Sequence, residues 1–251
     1  MEDIKTKHQV HVPKRVREYM FELLSTFVAV ALAFLSQYFF QYRSDRSTEH
    51  DLMVSMVADL RTDIKNIDTL ESNIPKLLST SDEIDNICRG DNKILANQII
   101  IYSDYLIISG YRYQIDFTTS TINQLKNAGG LRLIQNHDVS NAIVKYDNEI
   151  HHMDTYQNNL GLRKQQLLNL EAMLFYSRGL RNYELDSNFI SSIYAIKGTA
   201  LATNAVNDIT LFDNTIQVFS NYCTGYAMYC KTQKINAEKL INLIQYHYKI
   251  D

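Results

Sequence analysis

Proline and glycine are scarce in this chain of 251 residues, which contains two prolines, Pro13 and Pro75, and eight glycines. Proline interrupts helices because it has no backbone N–H, and glycine because it lacks the β-carbon that restricts the backbone. Their scarcity, together with a hydrophobic content of 45%, predicts an all-α chain with enough apolar side chains for a core. Internal repeats, low-complexity tracts and interdomain linkers are also lacking.

The chain also has no surplus of basic residues, because its 28 Asp and Glu outnumber its 25 Lys and Arg and the formal net charge is -3. Nucleic-acid binding requires a concentrated basic face, so the chain is predicted not to bind nucleic acid. A local basic cluster at Lys14, Arg15 and Arg17 precedes the long apolar run described below. We interpret it as a topology signal that can also contact anionic lipid headgroups.

Signatures of catalysis are missing. The chain contains neither a Gly-x-x-x-x-Gly-Lys-Ser/Thr phosphate loop nor a Gly-x-Ser-x-Gly nucleophile motif. One Glu-x-x-His, from Glu149 to His152, has Asp147 one turn before His151, but a di-iron bundle needs a second such motif and further inward glutamates. The sequence therefore predicts a protein that is not an enzyme and has no catalytic residues, no cofactor and no metal site.

Cysteine is limited to Cys88, Cys223 and Cys230. An odd number of thiols argues weakly against an oxidising compartment. Cys223 and Cys230 are separated by two helical turns, or ~10.5 Å along a helix axis, which is too far for a disulfide. We expect both to be buried core residues.

The chain does contain one long apolar run, residues 20–42. At ~1.5 Å per residue it spans roughly 34 Å as a helix, against about 30 Å for the hydrocarbon core of a bilayer. Aromatic residues flank the run, as interfacial belts require: Tyr19 and Phe21 on one side, and Tyr38, Phe39, Phe40 and Tyr42 on the other. The run predicts a single transmembrane helix.

A cleaved signal peptide is the alternative, because Ala31-Leu32-Ala33 has the small-x-small form of a cleavage site. The apolar run continues past this site to Phe40, which favours an uncleaved signal anchor. The predicted organisation is a basic juxtamembrane tail at 1–19, a transmembrane helix at 20–42 and an extramembrane helical bundle at 43–251.

The orientation is predicted from the basic residues that flank the helix. Only Arg43 and Arg46 follow it closely, whereas five precede it: Lys5, Lys7, Lys14, Arg15 and Arg17. The positive-inside rule then places the N-terminus in the cytoplasm. The chain is predicted to be a single-pass protein of a bacterial inner membrane with a periplasmic C-terminal domain.

Small and polar residues share one face of the predicted membrane helix, which we call the small-residue stripe: Glu22, Ser25, Thr26, Ala29, Ala33, Ser36 and Gln37. Ser25, Ala29 and Ala33 follow the small-x-x-x-small pattern of closely packed membrane helices, and Ser36 or Gln37 can bond across such a contact. Three readings stay open: ordinary membrane-helix composition with Glu22 and Gln37 at the headgroups, a homo-oligomer interface, and a water-lined pore.

Beyond the membrane helix, apolar spacing predicts long helices. A helix after Arg46 should form a stalk, with a break or kink at Pro75, and a buried helix is favoured over a strand at 94–108. Another helix is predicted from Asp138 to Tyr176. The last helix shows a heptad seam, at Ile209, Phe212, Ile216, Phe219, Cys223, Tyr226, Cys230, Gln233, Ala237, Leu240 and Ile244. These segments predict an antiparallel bundle with coiled-coil-like seams.

The segment 117–136 is predicted to be a short helix, a glycine stop and a restart. Thr or Ser at 118–120 can cap the first helix, Gly129 can adopt the left-handed conformation, and Asn136 or Asp138 can cap the next helix. Alternatively, Gly129-Gly130 beside Lys126 and Arg132 could hold an anion through backbone N–H groups. The turn is favoured.

Three stretches carry a resemblance: 22–37, the Leu60-Arg61-Thr62-Asp63-Ile64 sequence, and 121–146 with Leu-Lys-x-x-Gly-x-Leu-x-Leu-Ile-x-Asn. Together they cover about a third of the chain. This pattern resembles a family of uncharacterised bacterial membrane proteins with one N-terminal membrane helix that opens with Glu and a C-terminal helical domain. The resemblance implies topology and architecture, and it implies no activity.

Two function classes follow. The first is a membrane-anchored, non-catalytic scaffold or sensor that forms a homo-oligomer and meets an envelope protein partner. The second is an oligomeric pore-forming or membrane-perturbing effector, gated by its helical domain, with the small-residue stripe lining the opening. The first assumes less and is preferred.

Overall fold

A computed structural model of the chain describes residues 14–127, 129–176, 180, 188–203 and 205–250. Lys5, Lys7 and the rest of the predicted basic tail before residue 14 lie outside this part. The helices are α1 (Lys14–Arg89), α2 (Leu95–Gly110), α3 (Ser120–Asn127), α4 (His137–Leu174), α5 (Asn188–Lys197) and α6 (Val206–Tyr248), with a 3-10 turn at Gly130–Arg132. Within the described residues there is no strand, only an isolated bridge between Phe175 and Leu201. The predicted all-α fold is confirmed.

The chain divides into two compact units, residues 1–51 and 52–251, and α1 contributes to both. The described part of the first unit is the first half of α1. It contains the one segment in the described chain that is long and apolar enough to cross a membrane, with a mean hydropathy of 1.8 and no side chain of that window buried.

The second unit is a bundle whose core has two parts. The first, which we call the entry cluster because α1 enters the bundle at residue 52, joins the first turns of α1 in this unit to α3, to the start of α4 and to the end of α6. The second, the far cluster, joins residues 67–87 of α1 to α2, to the second half of α4 and to the first half of α6. Hence α1 and α4 run in the same direction, and α6 is antiparallel to both.

The helix boundaries follow the sequence pattern except at Pro75. Helices are confirmed at the three predicted segments, as α2, α4 and α6. A break at Pro75 is wrong, because α1 continues through it to Arg89. Pro75 is exposed, so water can hydrate the carbonyl that it leaves without a donor, while Ile74 and Leu77 on the inner face are buried.

The seam predicted on the last helix is confirmed, because all eleven of its residues are buried in α6. Its one polar member, Gln233, donates from Nε2 to the backbone oxygen of Tyr146 on α4 at 3.2 Å. The seam therefore faces the inside of the bundle, and its amide has a partner there.

Candidate functional site

All seven residues of the small-residue stripe lie on α1 and are exposed: Glu22, Ser25, Thr26, Ala29, Ala33, Ser36 and Gln37. At about 100° per residue they occupy an arc of about 120° on the helix surface. The structure therefore confirms that they share a face. The large apolar residues around them, such as Leu24, Phe27 and Leu32, are also exposed.

The hydroxyl groups of the stripe are partly used by the helix itself. Ser25 and Thr26 each donate to the backbone oxygen of Glu22 at 2.9 Å. Such back-bonding satisfies a hydroxyl without water or a partner helix. Ser25 and Thr26 thus present a small surface outward, whereas Ser36 and Gln37 have no side-chain hydrogen bond to the described residues and stay available to a partner.

A polar stretch follows the apolar segment on α1. Gln41 donates to Asp45 at 2.8 Å, Arg46 pairs with Glu49, and the Arg46 guanidinium lies 5.5 Å from the centre of the Tyr42 ring. Charged and aromatic side chains of this kind are typical of a helix end at the membrane–water interface. This polar stretch begins where the span is predicted to end, near Tyr42, and that boundary stays a prediction.

In the second unit, two carboxylates of α1 bind the first residues of α3 and the segment just before it. Asp59 Oδ2 accepts from the N–H of Thr121 at 3.1 Å and from the Ser120 hydroxyl at 3.0 Å. Asp63 Oδ1 accepts from the N–H of Thr118 at 2.7 Å. The sequence predicts that a Thr or Ser at 118–120 caps α3. This prediction is wrong, because the capping carboxylate, that of Asp59, comes from α1.

Asp63 also joins α1 to α4, because its Oδ2 accepts from the Tyr146 hydroxyl at 2.8 Å. The Asp63 side chain is fully buried. Burial raises its pKa, and the hydrogen bonds from Thr118 and Tyr146 oppose this rise. One buried carboxyl thus connects α1, the segment before α3 and α4. Asp63 belongs to the 60–64 stretch that carries the resemblance, but no pattern in the sequence predicts its hydrogen-bond donors.

The glycine pair forms the predicted turn. Gly129 has φ +66, so the predicted left-handed conformation is confirmed. The N–H groups of Arg132 and Leu133 donate back to the carbonyls of Gly129 and Gly130 at 3.0 and 2.9 Å. Lys126, which the anion cradle would need as a cation, pairs instead with Asp147 at 2.8 Å, so the geometry favours the turn. The predicted cap of the next helix is Asn136, whose side chain accepts from the N–H of Val139 at 3.0 Å.

The carboxylate and imidazole groups of the Glu-x-x-His segment do not converge. Asp147 pairs with Lys126 at 2.8 Å, and His151 and His152 are exposed. Across the described part of the chain, no three His, Cys, Asp or Glu side chains are grouped as metal ligands. Asp147 serves as a link between α3 and α4.

The thiols are free, and the predicted burial of Cys223 and Cys230 is confirmed. Burial raises the pKa of both thiols to about 12. A thiol with so high a pKa is a poor nucleophile at neutral pH. These two cysteines therefore act as core residues.

Two pairs of acidic side chains, which the sequence analysis did not identify, lie on either side of the last turns of α1. Asp85 faces Asp213 on α6, with Arg89 bonded to Asp85 at 2.5 Å, and Glu83 lies near Asp104 on α2. Burial, and to a smaller extent the nearby Asp85, raises the pKa of Asp213 to about 6. Burial, and to a smaller extent Glu83, also raises the pKa of Asp104 to about 6. Spacing along one helix does not reveal such pairs, since their members come from different helices.

The bundle is expected to lose stability as the pH rises from about 4 to 6. The folded chain holds the Asp213 proton up to about pH 6, whereas the unfolded chain releases it near 3.8, so protonation favours the folded state between these values. An Asp213→Asn variant mimics the protonated form. Its free energy of unfolding should exceed that of the wild type by more at pH 7 than at pH 5. Denaturant unfolding of the full chain in detergent measures this difference.

The control for this measurement is Asp82→Asn, which changes an exposed aspartate about one turn before Asp85 on α1. It removes the same charge at a side chain that is open to solvent, and so reports the effect of the lost charge away from the Asp85–Asp213 contact. An equal difference for Asp213→Asn at pH 5 and pH 7 would show that the Asp85–Asp213 contact does not titrate in this range.

Comparison with known proteins gives no relative: no family model, no curated protein and no solved structure matches this chain. The resemblance to bacterial membrane proteins with one N-terminal helix thus stays a prediction.

Proposed function

We propose that the protein is a membrane-anchored, non-catalytic helical scaffold or sensor that forms a homo-oligomer and meets an envelope protein partner. The observation that supports this is that no side chain in the apolar segment of α1 is buried. Its large side chains, including Leu23, Phe27 and Phe34, are each more than half exposed. A continuous apolar surface of this extent needs lipid or other helices around it.

The division of the chain supports the same proposal. The bundle from residue 52 onward has its own core, made of the entry and far clusters, and its predicted seam is buried. In the described part of the bundle, the exposed His152 and the buried Cys223 and Cys230 lie in no cluster of reactive or metal-binding groups. Recognition, rather than chemistry, is the role that such a bundle supports.

For orientation, we propose a cytoplasmic N-terminus and a periplasmic bundle in a bacterial inner membrane, on the basis of the basic residues before the span. A reporter that is active only in the periplasm, fused after Asp251, is expected to be active. Activity of a cytoplasm-specific reporter at the same position would reverse the orientation.

Self-association through the small-residue stripe is the testable core of the proposal. Ala29→Leu or Ala33→Leu adds bulk where two helix backbones should approach, and should shift the protein towards monomer without impairing insertion. The mass of the full chain in mild detergent, by native mass spectrometry, measures this. Ala31→Leu is the matched control, because it makes the same change about 180° away from the stripe centre.

If the masses of the Ala29→Leu and Ala33→Leu variants equal that of the wild type, the stripe is not the oligomer interface. The pore-forming alternative is tested by recording ion current across planar bilayers that contain the same protein. Ion current from the wild type that changes in Glu22→Gln or Gln37→Leu would favour a pore, since rings of polar groups set permeation. We expect altered assembly and no constitutive current.

A further inference from the structure

The segment that links α2 to α3, residues 111–119, is a stretch of chain that belongs to no helix. We call it the extended segment. A repeat of two residues is that of an extended backbone, in which neighbouring side chains point to opposite sides. Exposed and covered side chains alternate here in this way: Arg112, Gln114 and Asp116 are exposed, Tyr113 is half-buried and Ile115 is buried.

Side chains of α4 hold the extended segment on one side. Lys164 donates from Nζ to the backbone oxygen of Tyr111 at 3.3 Å. Gln157 donates from Nε2 to the backbone oxygen of Ile115 at 2.9 Å. In an extended chain the N–H and C=O groups of one residue point to the same side, and those of the next residue point to the other. The odd-numbered residues therefore turn their backbone groups towards α4.

Side chains of α1 hold the extended segment on the other side. Asn66 donates from Nδ2 to the backbone oxygen of Asp116 at 3.4 Å. The N–H of Thr118 donates to Asp63 Oδ1 at 2.7 Å. The even-numbered residues therefore turn their backbone groups towards α1. Because the later residue of the segment contacts the earlier residue of α1, the segment and α1 run antiparallel.

Arg112 and Gln114 are the even-numbered residues that precede these hydrogen bonds, and their backbone groups are unpaired. Neither their N–H nor their C=O groups form a hydrogen bond with any residue that the structure describes. A row of unpaired N–H and C=O groups on an extended backbone is a template for another strand. The extended segment already rests on α1 and α4, and packing against a helix is the support that a pair of strands needs.

A groove of about 280 Å³ lies between α1 and this row of backbone groups. One wall carries Asn66 and Asn73 of α1. They are ~10.5 Å apart along the helix axis, which is the length of about three residues of extended chain. The other wall carries Arg112, Gln114 and Asp116. Arg112 pairs with Asp116 at 3.3 Å, so these two charges offset each other and the groove presents mainly amide groups.

We propose that this groove binds an extended, uncharged peptide segment of a partner protein, which pairs as an added strand with the backbone of Arg112 and Gln114. A peptide backbone supplies N–H donors and C=O acceptors in the same alternation as the unpaired groups of the extended segment. Main-chain pairing supplies affinity in such complexes, and side-chain contacts, here with Asn66 and Asn73, supply selectivity. A charged segment fits less well, because burial of an unpaired charge is costly. The inference rests on the proposed function, since it gives the envelope protein partner a binding mode.

Hydrogen exchange of the free full chain in detergent, resolved to single residues by mass spectrometry, tests whether the backbone edge is open. The N–H groups of Arg112 and Gln114 should exchange nearly as fast as those of an unfolded peptide. The N–H of Thr118, which donates to Asp63, is the internal control and should be protected about tenfold more or better. Equal protection at the three positions overturns the proposal.

Peptide selection tests the occupant. A random dodecapeptide library displayed on phage and panned on the full chain in detergent should yield peptides that protect the N–H groups of Arg112 and Gln114 from exchange. Asn73→Trp places a bulky ring in the groove and should weaken the binding of these peptides about tenfold or more. Asn148→Trp is the matched control, because it makes the same change at an exposed asparagine of α4 outside the groove, and it should leave binding unchanged.

A second pair of variants tests the backbone itself. Gln114→Pro removes the N–H that faces the groove, and the fixed φ of proline is compatible with an extended chain. Gln114→Ala removes the side chain and keeps this N–H. The proline variant should weaken binding of the selected peptides about tenfold, and the alanine variant by less than about twofold. Equal losses in the two variants overturn the added strand.

The remaining outcomes separate this inference from the proposed function. A library that yields no peptide binding above the level of unrelated phage overturns the inference, as do selected peptides that bind Asn73→Trp as well as the wild type. Both results leave the proposed anchor and oligomer intact, because the C-terminal reporter and the native mass of the wild type measure those. A monomeric wild type with an inactive periplasmic reporter, together with intact peptide binding, overturns the proposed function and leaves the groove.

Discussion

Asp63→Ala is expected to destabilise the bundle by about 2–4 kcal/mol, because it leaves the N–H of Thr118 and the hydroxyl of Tyr146 without their acceptor. Tyr146 is almost fully buried, so water cannot replace the lost carboxylate at its hydroxyl without entering the core. Truncation of the side chain also leaves a small cavity among α1, α3 and α4. Denaturant unfolding of the full chain in detergent, followed by circular dichroism, measures the loss.

Two further variants make this result specific. Tyr146→Phe keeps the ring but leaves one oxygen of the buried Asp63 carboxyl without its donor, so it should lose about 1–3 kcal/mol. Asp68→Ala removes another aspartate of α1, whose partner Lys234 lies at 2.5 Å on the surface, and should change stability by less than about 1 kcal/mol. Equal losses for Asp63→Ala and Asp68→Ala would contradict the special role of the buried carboxyl.

Gly130→Ala is expected to destabilise the entry cluster by about 1–3 kcal/mol through overpacking. An added β-carbon at this position lies 3.1 Å from the Cα of Leu125 and 3.4 Å from its carbonyl oxygen. These are backbone atoms of α3, so a side-chain rotation cannot relieve the contact. The midpoint of denaturant unfolding should fall, with the slope unchanged.

Gly110→Ala is the matched control for the turn, because no atom lies within 4 Å of its added β-carbon. Its stability should equal or slightly exceed that of the wild type, since alanine reduces the freedom of the unfolded chain. If Gly130→Ala also leaves the midpoint unchanged, the close approach of the turn to α3 is not a constraint of the folded protein.

Features set by neighbours along the chain could be predicted. The seam on α6, from Ile209 to Ile244, follows from a three-four spacing that any helix converts into one face. The left-handed Gly129 and the Asn136 cap follow from residue types that suit those local conformations. In the same way, the small-residue stripe follows from helical periodicity alone.

Features set by another element could not be predicted. Asp59 caps α3 from a position 62 residues earlier in the chain, and no local rule connects the two. The Asp85–Asp213 contact likewise depends on how α1 meets α6. At Pro75, burial of the inner face of α1 outweighed the local preference for a break.

The sequence by itself determined that this chain is helical and that one segment has the length and apolarity of a membrane span, because both properties are sums over neighbouring residues. Only the tertiary structure decided which carboxyls are buried against which partners, and which helices cover the seam of α6. The physical reason is that spacing along one helix defines a face but not the element that packs on it. On α6 this face, from Ile209 to Ile244, packs in the core that α1 and α4 also form.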